Sequence, residues 1–185
     1  MKNIFICLGM FAVFSCKAQQ IYPLNTDYET IPAYSYIKDL NNYLNPFTGT
    51  YKANYQGNDI TLYITKVEHK LEESIDKNYC TDALIIKYIV KDSSGTILQD
   101  TQTNPSNIDF YSIGTMTNFN AVVLFYSGTN CLVGNGKVYL RKNGSTQILW
   151  DYRPNSMLLD QQNCPGNQDV KVYLPVTKDL IFTKQ

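Results

Sequence analysis

The single histidine, His69, stands between Glu68 and Lys70, and an imidazole beside a carboxylate is the pairing most used for general acid–base work. No nucleophile and no second orienting acid falls at a spacing that completes a catalytic set around it, so His69 reads as a solvent-facing residue near the end of a strand. The carboxylates Glu68, Glu72, Glu73 and Asp76 fit neither the calcium-loop pattern nor a paired-carboxylate site, and they read as a solvated loop. Gly134-Asn135-Gly136 and Ser127-Gly128-Thr129-Asn130 lack the Gly-Lys-Ser/Thr ending of a phosphate-cradling loop and read as turns. The sequence therefore assigns no catalytic residue and no cofactor.

The cysteines are the next group with chemistry of their own. Cys80, Cys131 and Cys164 are scattered and contain no CxxC spacing, which excludes the usual zinc ligand sets and leaves no metal site. In an oxidising compartment three thiols form one disulfide and leave one over. Cys131 and Cys164 both lie in turn-rich sequence flanking a hairpin and are the preferred pair, although either could instead pair with Cys80. Such a bridge contributes roughly 3 to 4 kcal/mol by restricting the unfolded chain.

That compartment is argued from the N-terminus. Lys2, the apolar run Ile4 to Phe14 and the polar change at Ser15-Cys16-Lys17 follow the order of a secretory signal, and the run is too short for a permanent membrane span. Cys16 after Ser15, with Val13 three positions upstream, suits a lipoprotein cleavage site; Ala18 offers an ordinary one. Residues 1–15 (or 1–18) are thus expected to be removed, Cys16 to be lipidated and the protein to be held in the cell envelope, at the outer membrane or in the periplasm, with plain secretion as the alternative. Loss of residues 1–15 removes only Lys2, leaving 15 basic against 16 acidic side chains. With this balance, and with Arg141 and Arg153 the only arginines, nucleic acid has no electrostatic footprint to bind.

The elements that position these residues are mostly strands. Fifteen tyrosines and eight phenylalanines favour strand structure. Residues 19–34, with Pro23 and Pro32, read as an extended leader or tether. Tyr36, Ile37, Leu40, Tyr43 and Leu44 recur at helical spacing, with Ser35 as cap and Pro46 as stop, which predicts a short helix over 35–44 that covers one opening of the β-structure. From Phe47 the period becomes two: Tyr51, Ala53 and Tyr55 share one face, and after the Gln56-Gly57-Asn58-Asp59 turn Ile60, Leu62 and Ile64 return on one face as the second arm of a hairpin. Strands follow at Ala83 to Lys91, through Ile97 and Leu98, and at Ile108 to Ile113, Ala121 to Ser127, Lys137 to Arg141, Gln147 to Tyr152 and Leu180 to Phe182. Asn143-Gly144 joins two of them into a second hairpin, which places Val138 and Leu140 with Ile148, Trp150 and Tyr152 on one face. Residues 153–169 form a long loop. The fold class is all-β: residues 35–185 form one antiparallel barrel of eight or nine strands with a short N-terminal helix, or alternatively a sandwich, and closure is favoured because it removes exposed edges.

The stretch Tyr43-Leu44-Asn45-Pro46-Phe47-Thr48-Gly49-Thr50-Tyr51 resembles the opening of lipocalin-type barrels, with Tyr51 where those families usually carry tryptophan. Together with Cys16-Lys17-Ala18-Gln19, it makes the chain similar to a family of small exported proteins from Bacteroidetes. The resemblance implies a lipocalin-like domain and an envelope location, and it carries no assigned activity.

These readings rank a non-catalytic envelope binding module first. Such a module takes a small apolar ligand in the barrel, with Tyr51, Tyr88 and Trp150 as the candidate lining residues, or a protein partner at its rim. Second comes a structural or protein-interaction lipoprotein whose interior is only a core, and third a hydrolase with an unrecognised site.

Overall fold

The computed structural model describes residues 19–103 and 107–185. The signal segment and Cys16 lie outside the described residues. Eleven strands are present in one sheet: β1 (Ile21–Pro23), β2 (Tyr36–Lys38), β3 (Gly49–Tyr55), β4 (Asn58–Glu73), β5 (Asn78–Lys91), β6 (Ile97–Asp100), β7 (Phe110–Met116), β8 (Ala121–Tyr126), β9 (Gly136–Asn143), β10 (Gln147–Pro154) and β11 (Leu180–Lys184). The path β5-β4-β3-β11-β10-β9-β8-β7 returns to β5 through the Ile85–Tyr111 pairing, closing an eight-stranded antiparallel barrel.

The two-residue period carries this architecture. Tyr51 pairs with Leu62 across the first hairpin and Leu62 with Tyr88 across the next, so one parity of three adjacent strands faces inward. In the second hairpin Trp150 pairs with Leu140 and Tyr152 with Val138, and all four side chains are buried. Closure leaves the hydrogen bonds of the central strands satisfied by neighbours and confines free edges to short segments.

The lumen is filled with side chains. Phe110 lies edge-on to Tyr126 and Trp150, with centroids 5.2 and 6.1 Å apart, and Trp150 meets Phe182 at 5.5 Å. Leu44 and Phe47 pack into the core from the N-terminal side. Leu174 of the long loop joins the same cluster, and the neighbouring Pro175 carbonyl accepts a hydrogen bond from the Trp150 indole at 2.8 Å.

Three local expectations are corrected. Residues 35–44 do not form a helix: Tyr36–Lys38 is strand β2, running parallel to β5 with Tyr36 opposite Cys80, and a turn follows. A helix this short is marginal in water. The unpaired edge of β5 instead takes this segment into the sheet, the Cys80 N–H donating to the Ser35 carbonyl at 2.9 Å, and the Asp39 carboxylate accepts the N–H groups of Tyr43 and Leu44 at 2.7 and 3.0 Å, which fixes the turn. The leader is no free tether either, because Ile21–Pro23 pairs in parallel with β2 and Ile31 is buried. Finally, Glu68, Glu72 and Glu73 are not in a loop. Strand β4 continues through Glu73, opposite Asn78, past a bulge between Val67 and Lys70, and only Asp76 lies in the turn beyond. Pairing with β5 holds these charged residues extended, while Glu68 and Glu73 stay exposed.

Candidate functional site

One edge of β5 takes three partners in succession. Cys80 and Thr81 pair with β2, Ile85 with β7, and Ile89 to Lys91 with β6. Beyond the single Ile85–Tyr111 contact, β7 bends away. The Leu84 N–H there donates to the Ser112 hydroxyl at 2.8 Å in place of a backbone carbonyl, and the β7–β8 register shifts between Ser112 and Gly114. A bulge of this kind ends pairing and re-aims side chains. The barrel is therefore closed at this seam by one backbone pairing and one side chain.

A cleft of about 320 Å³ fills the wedge between β7 and the docked leader. Its buried lining comes from Ile37, Leu44, Asp82 and Ser112; Leu24 to Tyr28, Glu72, Tyr79, Thr81 and Ile113 to Thr115 complete it. Asp27, Glu72 and Asp82 are the charged lining groups, and all three are carboxylates. The Tyr28 and Tyr79 rings stack with centroids 6.0 Å apart. Burial, with the Glu72 carboxylate nearby, pushes the Tyr79 hydroxyl above the ordinary tyrosine value. Thr115 Oγ1 is enclosed in the wall and has no hydrogen-bond partner among the described residues, and a buried polar atom in that state needs an explanation.

Beneath the cleft lies a polar network. The Tyr36 hydroxyl donates to Asp82 Oδ1, and the Asp39 N–H donates to Asp82 Oδ2 at 3.0 Å. Lys66 Nζ donates to Asp39 Oδ2 at 2.9 Å. Burial pushes the Asp39 carboxyl up, but the Leu44 N–H, the Lys66 ammonium and the Tyr43 N–H outweigh it and hold the group below the usual aspartate value. Burial, the Asp82 hydrogen bond and the Asp82 charge raise the Tyr36 hydroxyl well above its ordinary value. The network ties β2, β4 and β5 together at the foot of the seam.

His69 occupies the β4 bulge with a left-handed φ of 54°, and its ring stacks on Tyr36 at 3.8 Å between centroids. It is exposed and does not line the cleft. Tyr51, Tyr88 and Trp150 are all fully buried, and the cleft is lined by other residues. Tyr88 and Trp150 satisfy their polar atoms within the protein, on Gln99 and Pro175 respectively. Cys131 and Cys164 form the disulfide, and Cys80 is a free thiol. Asp39, Asp82 and Ser112 were not singled out from the sequence. For the last two a signal exists: Asp82 shares the inward parity of Leu84, Ile86 and Tyr88, and Ser112 that of Phe110. A polar residue at a core position marks a site that must be satisfied or used.

A family model matches residues 1–185, and its description is a family of unknown function (DUF6705). No curated protein matches the chain, and no solved structure does.

Proposed function

The chain belongs to the family of unknown function DUF6705, which passes no activity to its members, and we propose from its geometry that the protein is a non-catalytic binding module of the cell envelope whose ligand site is the seam cleft. The observation that carries this reading is the placement of space: the lumen is filled by Trp150, Tyr88, Tyr126 and their neighbours, whereas a concavity within the size range of ligand sites opens between β7 and the leader. The ligand is a compact polyhydroxylated molecule. Carboxylates and the hydroxyls of Thr26, Thr81, Ser112 and Thr115 accept and donate hydrogen bonds to such a molecule, and tyrosine faces pack against its C–H surfaces. A strongly cationic ligand is disfavoured because Glu72 is already paired with Lys70 at 2.6 Å and Asp82 already accepts from Tyr36 and Asp39.

The signal-like N-terminus supports export, and the Cys131–Cys164 disulfide fits an oxidising compartment. In this reading Cys16 carries the acyl chains. Three residue steps separate it from Gln19, about 10 Å when extended, so the leader side of the barrel stands close to the membrane surface. The likeness of residues 43–51 to lipocalin-type openings is in keeping with a binding role, although the site proposed here is the seam and not the lumen.

A ligand-observed NMR screen of the mature protein with neutral sugars, amines and fatty acids tests the reading. The expected hits are neutral sugars, shifting the amides of residues 24–28, 79–82 and 112–115 and losing affinity in Tyr79→Ala and Thr115→Val. Absence of any hit in that region sinks it.

A second reading, a protein partner at the rim, has its own observation. Met157, Leu158 and Leu159 are exposed side by side in the long loop, Leu158 at 91%. Mass spectrometry after in-cell crosslinking from the neighbouring exposed position 161 tests it, and a specific partner lost on Leu158→Ser is the expected result.

A further inference from the structure

The outer wall holds another concavity, away from the seam. Strands β9 and β10 turn Tyr139, Arg141, Asp151 and Arg153 outward. The 3-10 turn after β7 brings Phe119 to one bank, and Lys178 and Asp179 stand on the other, enclosing about 520 Å³. Both arginines of the chain are therefore in this one groove. Arg153 donates Nε and Nη2 to the two oxygens of Asp151 at 3.2 and 2.7 Å, and its guanidinium lies 4.9 Å from the Tyr139 ring centroid. Asp151 is only 6% exposed although it lies on the outward parity of β10. Two hydrogen bonds and the Tyr139 ring hold the Arg153 guanidinium over the buried Asp151 and neutralise it, although the Arg153 side chain itself is 63% exposed.

The other two cations are free to act. Arg141 pairs with Asp179, but both side chains are substantially exposed, and an exposed ion pair contributes little, so exchanging Asp179 for another carboxylate is inexpensive. Lys178 makes no ion pair with the described residues. Three cationic side chains thus face two carboxylates, one positive charge in surplus. Beside them Phe119 is 66% exposed and Met116 38%, an apolar lip that water solvates poorly.

We propose that this groove is a binding site for a monoanionic amphiphile, a carboxylic acid of the acyl-chain class. Its head sits between Arg141 and Lys178 and its chain lies along Met116 and Phe119. A single surplus charge fits a monoanion better than a phosphate dianion, and the guanidinium offers the parallel donors a carboxylate takes. The proposal is independent of the seam site, because the two clefts share no lining residue.

Isothermal titration with decanoate below its micellar concentration tests it, against acetate as a head without a chain and decyltrimethylammonium as a chain with the opposite head. One saturable decanoate site is expected, with both controls at least about tenfold weaker. Arg141→Gln with Lys178→Gln is expected to weaken decanoate about tenfold and to remove its dependence on salt, and Phe119→Ala to weaken it several-fold. Lys52→Gln, an exposed residue on β3, leaves binding unchanged. All substituted positions are solvent-accessible, and unchanged Trp150 fluorescence verifies the fold of each variant. Equal binding of the two decyl compounds, no saturable site, or decanoate-induced shifts of the protein's amide resonances that avoid residues 116–121 and 178–179 would overturn the proposal.

Discussion

The hydroxyls of Tyr88 and Tyr126 lie 2.8 Å apart inside the filled lumen, and the Tyr88 O–H donates a hydrogen bond to Gln99 Oε1 at 2.8 Å. Two phenols from β5 and β8, strands that are not neighbours in the sheet, thus satisfy each other where no water is needed. Tyr88→Phe removes that link and leaves Tyr126 and Gln99 each short of a partner. The expected cost is about 1 to 3 kcal/mol in urea unfolding, with the double Tyr88→Phe, Tyr126→Phe variant less destabilised than the sum of the singles.

The same burial sets an alkaline limit. Tyr126 is pushed up to about 12 by burial, and Tyr88 and Tyr152 are driven higher still, by burial and by neighbouring tyrosines. A folded value above the unfolded value near 10 gives stability that is complete below about pH 10 and lost as pH rises towards the folded values. Absorbance titration at alkaline pH is expected to show the lumen tyrosines ionising only together with loss of the near-ultraviolet circular dichroism. A single smooth titration of all tyrosines in the folded protein would contradict this.

Asp39 sets the acid limit. Its carboxylate holds the Tyr43 and Leu44 amides and Lys66 and lies below the ordinary carboxylate value. Its contribution is present above the unfolded value near 4 and is lost as pH falls through the depressed folded value. Asp39→Asn is expected to cost about 1 to 3 kcal/mol at neutral pH and to flatten the fall in stability below the ordinary carboxylate value near 4. An unchanged acid limb would show that other carboxylates govern it.

Trp150 tests the core. It is fully buried against Phe110, Tyr152 and Phe182 and donates to the Pro175 carbonyl. Trp150→Ala is expected to cost about 3 to 5 kcal/mol. Trp150→Phe keeps most of the packing but strands the carbonyl, for about 1 to 3 kcal/mol. Chemical denaturation with circular dichroism measures both, since each variant loses the only tryptophan.

The Cys131–Cys164 bridge closes a separation of 33 residues and joins the β8–β9 loop to the loop after β10. Cys131→Ser with Cys164→Ser is expected to lower stability by about 3 to 4 kcal/mol. Proteolysis within residues 155–169 is expected to accelerate first, because these residues have few other ties to the barrel.

The eight barrel strands were legible because alternation is a local property. Tyr51, Leu62, Tyr88, Val138 and Trp150 declare their inward face through their own neighbours, and Gln56-Gly57 and Asn143-Gly144 declare where the chain reverses. The turn-rich settings of Cys131 and Cys164 made them the preferred pair over pairings with Cys80, and the structure joins them. The failures lie where the deciding partner is distant in sequence. Tyr36 to Leu44 carries helical spacing, yet the open edge of β5 at Cys80 and the Asp39 carboxylate claim its amides, and no window of ten residues contains both terms. Glu68 to Glu73 reads as loop until β5 supplies a ladder for it.

The sequence by itself determined an all-β chain, its strand parity and its inner aromatic set, since each depends on side-chain chemistry repeated at a fixed short interval; for the disulfide it only ranked Cys131–Cys164 above the pairings with Cys80. Only the tertiary structure decided that the lumen is filled and that usable space lies at the seam and on the outer wall. Volume is a property of how segments distant in sequence are brought to one place, as Asp27, Glu72, Asp82 and Thr115 are in the seam cleft, and that placement is set by barrel closure and by the β7 bulge, not by any local pattern.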